Sequence, residues 1–289
     1  VKVGFIGAGT VGTAMAVRLS QRGYQVTAAA SRTYASAEKL AAGVNGCKAY
    51  PDLQDVADTA DLVFITTPDA AIGQVAAQLR WRQGQYVCHC SGADSLDVLK
   101  PVALFGAVPG GFHPLQTFAS AAQAVENLPG STFGIEAAEP LLGVLKQMAN
   151  DLHGSWVVLK AGDKVLYHAA AVISCNYLVT LTKLATDLWQ NFGVPPAKAI
   201  EALMPLLRGT LNNLANVGLP DALTGPIARG DVGTVEKHLR ALGRTAPRLL
   251  STYRELGMQT IPIAIAKGKC HPAAAEALQA LFRTKRERD

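Results

Sequence analysis

The sequence predicts an α/β fold, a doubly wound parallel Rossmann sheet followed by an all-helical C-terminal domain. Three observations predict it. A short apolar run opens the chain and leads into the glycine-rich turn Gly7-Ala8-Gly9-Thr10-Val11-Gly12. Apolar runs of strand length then alternate with helical patterns, and alternating units of this kind build parallel sheets with helices on both faces. Beyond about residue 160 the pattern turns helical throughout. A chain of 289 residues exceeds the usual single domain. The division is drawn as 1–160 for a nucleotide-binding domain and 161–289 for a helical substrate and dimerisation domain.

Val1 to Ile6 reads as a buried strand and Thr13 to Arg22 as a helix, which places the glycines in a strand-to-helix turn. That context gives a GxGxxG pattern its specificity. Gly7 permits the tight turn, Gly9 lets a pyrophosphate approach the backbone, and Gly12 lets helix and strand pack. The helix N-terminus offers free N–H groups to the phosphates. Gly7, Ala8, Gly9, Thr10, Val11 and Gly12 are therefore the expected dinucleotide loop.

Tyr24 to Ala30 is the second strand, ending at Ser31-Arg32-Thr33. NAD-binding units usually carry an acid at this strand end for the ribose 2′-hydroxyl. None is present, and Arg32 between two hydroxyl residues suits a 2′-phosphate. A solvated loop arginine is the plain alternative, but the position favours NADP(H) over NAD.

Asp61 to Thr67 reads as a buried strand, Pro68-Asp69 opens a helix to Gln78, and Gln85 to Cys90 is a further strand. The stretch from Ala107 to His113 is a glycine-rich approach to a short strand or turn over His113 to Thr117. Ser131 to Ile135 and Ser155 to Leu159, with a helix between, read as closing strands. Ligands of such sheets bind at the carboxyl ends of the strands. Thr67, Pro68 and Ser91 are thus candidates for the nicotinamide end, although a helix start explains Thr67-Pro68 equally well. His113 follows two glycines and precedes a proline, which holds it extended. It could donate to a substrate carbonyl or carboxylate, or bond the backbone and lock the turn.

Ala161 to Phe192 fits one long helix, apolar around most of its circumference and hence expected to be buried on several sides. A homodimer formed through the helical domains would supply part of that cover. Lys164 and His168 share a face, and Asn176 lies near it, forming a polar seam. Lys164 or His168 would exchange a proton, while Asn176 and His113 would orient the substrate. Later helices are expected to break at Pro195-Pro196, Pro205, Gly218-Leu219-Pro220, Gly225-Pro226 and Pro262. In the polar loop Asp221 to Asp231, Arg229 could clamp the acid group of a small anionic substrate and Thr224 could bind or cap. Asp231 reads as the cap of a helix from Val232.

Hydrophobic content of 49%, charged content of 17% and a formal charge of +5 describe a soluble protein with a large core. Part of the charge lies in Arg283 to Arg288, expected to be a solvated end. No nucleic-acid motif is present. Five scattered cysteines without framework spacing suit a reducing cytoplasm. No signal peptide is expected before the first strand, and no uncharged run is expected to reach the ~18–20 residues of a membrane span. Cys88-His89-Cys90 alternates faces on a strand and has no second ligand pair, so no metal is expected.

With these residues in view, the whole chain resembles a family of Rossmann-like NADP oxidoreductases with a helical C-terminal domain of unknown function, DUF2520. The family falls within the 6-phosphogluconate dehydrogenase-like group. The resemblance rests on the loop Gly7 to Gly12, on His89-Cys-Ser-Gly92, and on His113-Pro-Leu-Gln-Thr117. It rests further on Tyr167-His-Ala-Ala-Ala171 with Asn176-Tyr177, and on the long block Ala222 to Asp231. Thr10 stands where such proteins often carry arginine. Several reductases of the wider group carry Lys followed four residues later by Asn, and Lys164 and His168 keep that spacing with His in place of Asn. The resemblance implies an NADP(H)-dependent oxidoreductase passing hydride to a small carbonyl or imine held between the domains. Two other readings stand beside it: a non-catalytic NADP-binding redox sensor or partner-binding protein, and a deazaflavin-dependent NADP oxidoreductase.

Overall fold

The computed structural model describes residues 1–283; the basic end expected to be solvated lies, after Arg283, outside them. Residues Val1–Asn176 form one compact unit and those from Tyr177 a second. The first unit opens with β1 (Lys2–Ile6), α1 (Thr10–Gln21), β2 (Gln25–Ala30), α2 (Tyr34–Ala42) and β3 (Lys48–Tyr50). It continues with α3 (Leu53–Thr59), β4 (Leu62–Ile65), α4 (Asp69–Gln78), β5 (Tyr86–His89) and α5 (Lys100–Ala103). β6 (Val108–Leu115), α6 (Ala121–Asn127), β7 (Thr132–Ala137), α7 (Leu141–Asp151), β8 (Ser155–Val158) and α8 (Asp163–Ser174) complete it.

The eight strands form one sheet in the order β3-β2-β1-β4-β5-β6-β7-β8. The order reverses beside β1, so the loop after β1 opens at the point where such sheets bind ligands. Every neighbouring pair is parallel except β6 and β7, which run antiparallel with His113 opposite Gly134. The sheet is the doubly wound, dominantly parallel one expected, with this single antiparallel pair. The glycine-rich approach and the segment from His113 prove to be a single strand, β6.

Alternation along the strands sends side chains to two cores. Val3, Phe5, Phe64, Phe112 and Phe133 pack with Met15 and Leu19 on one face. Ile6, Val63, Ile65 and Val87 pack with Ile72 and Trp81 on the other. The four phenyl rings follow one another at centroid distances of 5.4, 5.9 and 4.5 Å. Each fully buried ring contributes roughly 1.5–3 kcal/mol, which anchors β1, β4, β6 and β7 and so fixes the strand ends that carry the site.

The second unit contains α9 (Asn176–Trp189) from Tyr177 onward, α10 (Pro196–Val217), α11 (Val232–Thr245), α12 (Leu250–Ala266) and α13 (Pro272–Arg283). Its core gathers Val235, Ile261, Ala264, Leu278 and Phe282. Asp231 caps α11 through the Thr234 amide at 3.0 Å, as its position implies. Two expected breaks do not occur, because α10 runs through Pro205 and α12 through Pro262. Both prolines sit on exposed faces, where water can satisfy the carbonyl that a proline leaves unpaired.

The helix expected over 161–192 is divided at Cys175 into α8 and α9, and burial all round it does not occur. Lys164 is the buried residue of α8 and Thr186 that of α9, while Val165, Leu166, Ile173 and Val179 are exposed. The expectation about membrane spans also needs correcting: Asp163–Phe192 is long and apolar enough to cross one by length and composition. Within the first unit, however, α8 sends Lys164 and Tyr167 into polar contacts at the end of the sheet.

Candidate active site

The loop between β1 and α1 has the geometry its glycines imply. Gly7 adopts φ +112°, and a Cβ there would lie 2.6 Å from the Thr66 carbonyl carbon. A Cβ on Gly12 would lie 2.3 Å from the Gly7 oxygen and 2.5 Å from Thr66 Oγ1. These two glycines are closed off by their own fold. Gly9 differs: nothing lies within 4 Å of where its Cβ would stand. It occupies the N-cap of α1 without a side-chain cap, which leaves the first N–H groups of that helix open to an anion.

At the end of β2, Ser31 is half-buried, and Arg32 and Thr33 are exposed directly before α2. Beyond β4, Thr67 has a buried Oγ1 without a hydrogen-bond partner. Pro68 forms the N-cap of α4. The open backbone at Gly9, the cation at Arg32 and the orphaned hydroxyl at Thr67 fit a phosphorylated dinucleotide.

Ser91, just after β5, organises the next part. Its hydroxyl donates to the Asp69 carboxylate at 2.9 Å and accepts from the Asp94 amide at 3.0 Å. Its carbonyl accepts from Lys164 Nζ at 2.8 Å. Lys164 is only 1% exposed, so its ammonium lies beneath the loop. Gly111 makes room for it, since a Cβ there would lie 3.0 Å from Nζ. Burial lowers the Lys164 pKa, opposed by the nearby Glu136 carboxylate. Glu136, on β7 opposite Gly111, is 7% exposed, with one oxygen unpartnered. Burial raises its pKa, and the Lys164 charge resists the rise.

His113 of β6 and Tyr167 and His168 of α8 converge above this layer. His113 Nδ1 and the Tyr167 hydroxyl are 2.9 Å apart. The rings of His113 and His168 meet edge to face at 6.3 Å. Burial, followed by the charges of Lys164 and His168, lowers the His113 pKa to about 4. Burial raises that of Tyr167 to about 12. All three residues line a cavity of about 580 Å³, together with Gln116, Phe118 and Asn176. Three members of the expected seam are thus placed: His168 and Asn176 face the cavity, and Lys164 is buried under Ser91. Arg229 and Thr224 belong to the second unit, where both are exposed. Among the described residues no cluster of His, Cys, Asp or Glu could hold a metal.

Tyr167, seen in the sequence only as part of Tyr167-His-Ala-Ala-Ala171, and Glu136 were not anticipated as site residues. Tyr167 lies three residues after Lys164 and so shares its helix face, a signal the sequence does hold. Glu136 sits inside an apolar strand with no pattern to mark it.

Residues 1–114 match the family model of the Rossmann-like domain, and residues 131–260 match that of DUF2520, a domain of unknown function. The chain joins a Rossmann-like domain to a DUF2520 domain. Among curated protein sequences none matches it. Solved structures do. Protein TM1727 of Thermotoga maritima is 27% identical with a TM-score of 0.75, over 92% of this chain and 99% of that one. BF3122 of Bacteroides fragilis, assigned as an NADP oxidoreductase, is 26% identical with a TM-score of 0.71, over 90% and 98%. A reductive aminase of Aspergillus terreus, in complex with NADPH and ethyl levulinate, is 19% identical with a TM-score of 0.63, over 98% and 99%. That last likeness is one of fold. His113, Tyr167 and His168 straddle the two matched domains: His113 closes the Rossmann-like match, and the histidine-facing residues of α8 open within the DUF2520 match.

Proposed function

We propose that this protein is an NADP(H)-dependent oxidoreductase that reduces a small carbonyl or imine substrate in the cavity beside His113 and His168. The observation that carries the reading is the open space at Gly9 over the uncapped N-terminus of α1. It occurs in a chain whose next strand ends in Arg32 with no acid. Solved structures assigned as an NADP oxidoreductase or complexed with NADPH, over nearly the same length, support it.

Gly7 to Gly12 would hold the pyrophosphate, with Ser31, Arg32 and Thr33 on the 2′-phosphate and Thr67, Pro68 and Ser91 toward the nicotinamide. NADPH, when bound, supplies the hydride. His168, which faces the cavity, exchanges the proton, while His113 and Asn176 orient the substrate. Lys164 acts from beneath, tying Ser91 to α8 and keeping positive charge near His113. Five free cysteines suit a reducing compartment, and the exposed apolar faces of α8 and α9 suit a pair of identical chains.

The test is NADPH oxidation, followed by absorbance, with a panel of small ketones and cyclic imines. Wild type is expected to turn over at least one, and His168→Gln to lose about 10²-fold or more in kcat. NADPH binding without turnover of any member would favour a redox sensor instead.

A further inference from the structure

We infer that Tyr167 is a positioning residue for His113. Its hydroxyl donates to Nδ1, which holds the imidazole in the Nε2–H tautomer and makes His113 a hydrogen-bond donor in the cavity it lines. The two side chains come from different elements, β6 and α8, and meet at 2.9 Å with their rings nearly perpendicular. Gly134, opposite His113 in the sheet, is what admits the phenol: a Cβ there would lie 2.8 Å from its oxygen.

The direction of the bond follows from counting donors. A phenol has one proton to give, and a half-buried one needs an acceptor for it. The Gly134 amide beside the same oxygen can only donate. Nδ1 of His113 is therefore the acceptor, and a neutral ring must then carry its proton on Nε2. The alternative tautomer would set Nδ1–H against the phenol oxygen and turn the phenol proton away from the protein, toward the cavity that Tyr167 lines. Lys164 and His168, the charged and titratable neighbours from α8, both oppose a second proton on the ring.

Gly92 completes the arrangement. A Cβ there would lie 2.8 Å from His113 Nε2 and 2.6 Å from His168 Cδ2. Glycine is thus what lets the two imidazoles close over this turn, with His113 and His168 both lining the cavity. An Nε2–H group serves an atom with a lone pair, such as a carbonyl oxygen, and opposes a protonated imine, whose nitrogen has none. Resting on the reductase reading, this narrows the preferred substrate to a carbonyl compound.

The tautomer is read directly by long-range 1H–15N spectra of the full chain labelled at histidine, at pH 7, with His113→Gln assigning the signal. The expected result is a neutral, Nε2-protonated His113 in wild type. In Tyr167→Phe the expected result is a mixture of tautomers, with NADPH affinity within about twofold of wild type. An Nδ1-protonated His113 in wild type would overturn the inference. So would an unchanged tautomer in Tyr167→Phe. Kinetics supply the second arm: Tyr167→Phe should lower kcat/KM for ketones about tenfold more than for cyclic imines, the loss of one hydrogen bond. An equal loss on both, or a response of the Nε2 signal to NADPH alone, would overturn the carbonyl assignment. Absence of all turnover would count against the reductase reading and leave the tautomer result standing.

Discussion

Two alanine substitutions only three residues apart should have opposite consequences. Gly9 has φ −81° and ψ −167°, values open to alanine, and its Cβ would enter free space. Gly9→Ala should therefore leave folding unchanged or favour it by about 0.4–1 kcal/mol through the unfolded chain. The new methyl stands where a pyrophosphate would approach the backbone, so NADPH affinity should fall at least about tenfold, or ~1.4 kcal/mol. Gly12→Ala meets backbone. Its Cβ would lie 2.3 Å from the Gly7 oxygen, over 1 Å inside contact distance. It would also press on Thr66 Oγ1, which donates to that same oxygen at 2.6 Å. Overpacking of this kind costs about 1–3 kcal/mol, and the strained hydrogen bond adds about 1. Urea unfolding and calorimetric NADPH titration of both variants measure the two effects separately. Full NADPH affinity in Gly9→Ala, or full stability in Gly12→Ala, would refute the reasoning.

Acidification should weaken the fold through its buried imidazoles. His113 and His89 are held neutral, at pKa values of about 4 and 3 against an ordinary 6.5. The unfolded chain therefore binds more protons below pH 6.5, and stability falls as pH drops. Between pH 6.5 and 5 each group should cost about 2 kcal/mol, and His113→Gln should flatten the slope in urea melts; an identical slope would contradict it. Gly134→Ala should destabilise the first unit by about 1–3 kcal/mol, because the added methyl reaches the Tyr167 ring. Unchanged urea unfolding would show that the phenol is not packed there. In the second unit, Gly257→Ala places a Cβ 2.4 Å from the Phe282 ring and should cost a similar amount by the same measurement; no loss would mean that α12 and α13 can separate freely.

Where the sequence was readable, one residue type had one structural use. Gly7 and Gly12 are closed by neighbouring atoms and Gly9 is not, which is the division of labour the spacing of the loop implies. β1, β4 and β5 were legible because strands buried on both faces are continuously apolar. Strand direction was not, since alternation carries no polarity, and β7 therefore reads the same whether parallel or antiparallel to β6. β3 escaped notice because it is three residues long and mixes Lys48 with Tyr50. Pro205 and Pro262 misled because a proline on an exposed face disturbs a helix less than one in its core. Of the candidate site, His113 and His168 were legible from strand end and helix spacing. The depth of Lys164 was not, because burial of an ammonium depends on Ser91 and Gly111, distant in sequence.

The account stands most directly on the choice of nucleotide. Fluorescence titration of wild type and Arg32→Ala with NADPH and with NADH measures it. Charge-assisted bonds from a guanidinium to a phosphate are each worth about 1.5–3 kcal/mol. Wild type should therefore bind NADPH at least about tenfold more tightly than NADH, and Arg32→Ala should erase most of the difference. Equal affinity for both nucleotides in wild type, or binding of neither, would contradict it.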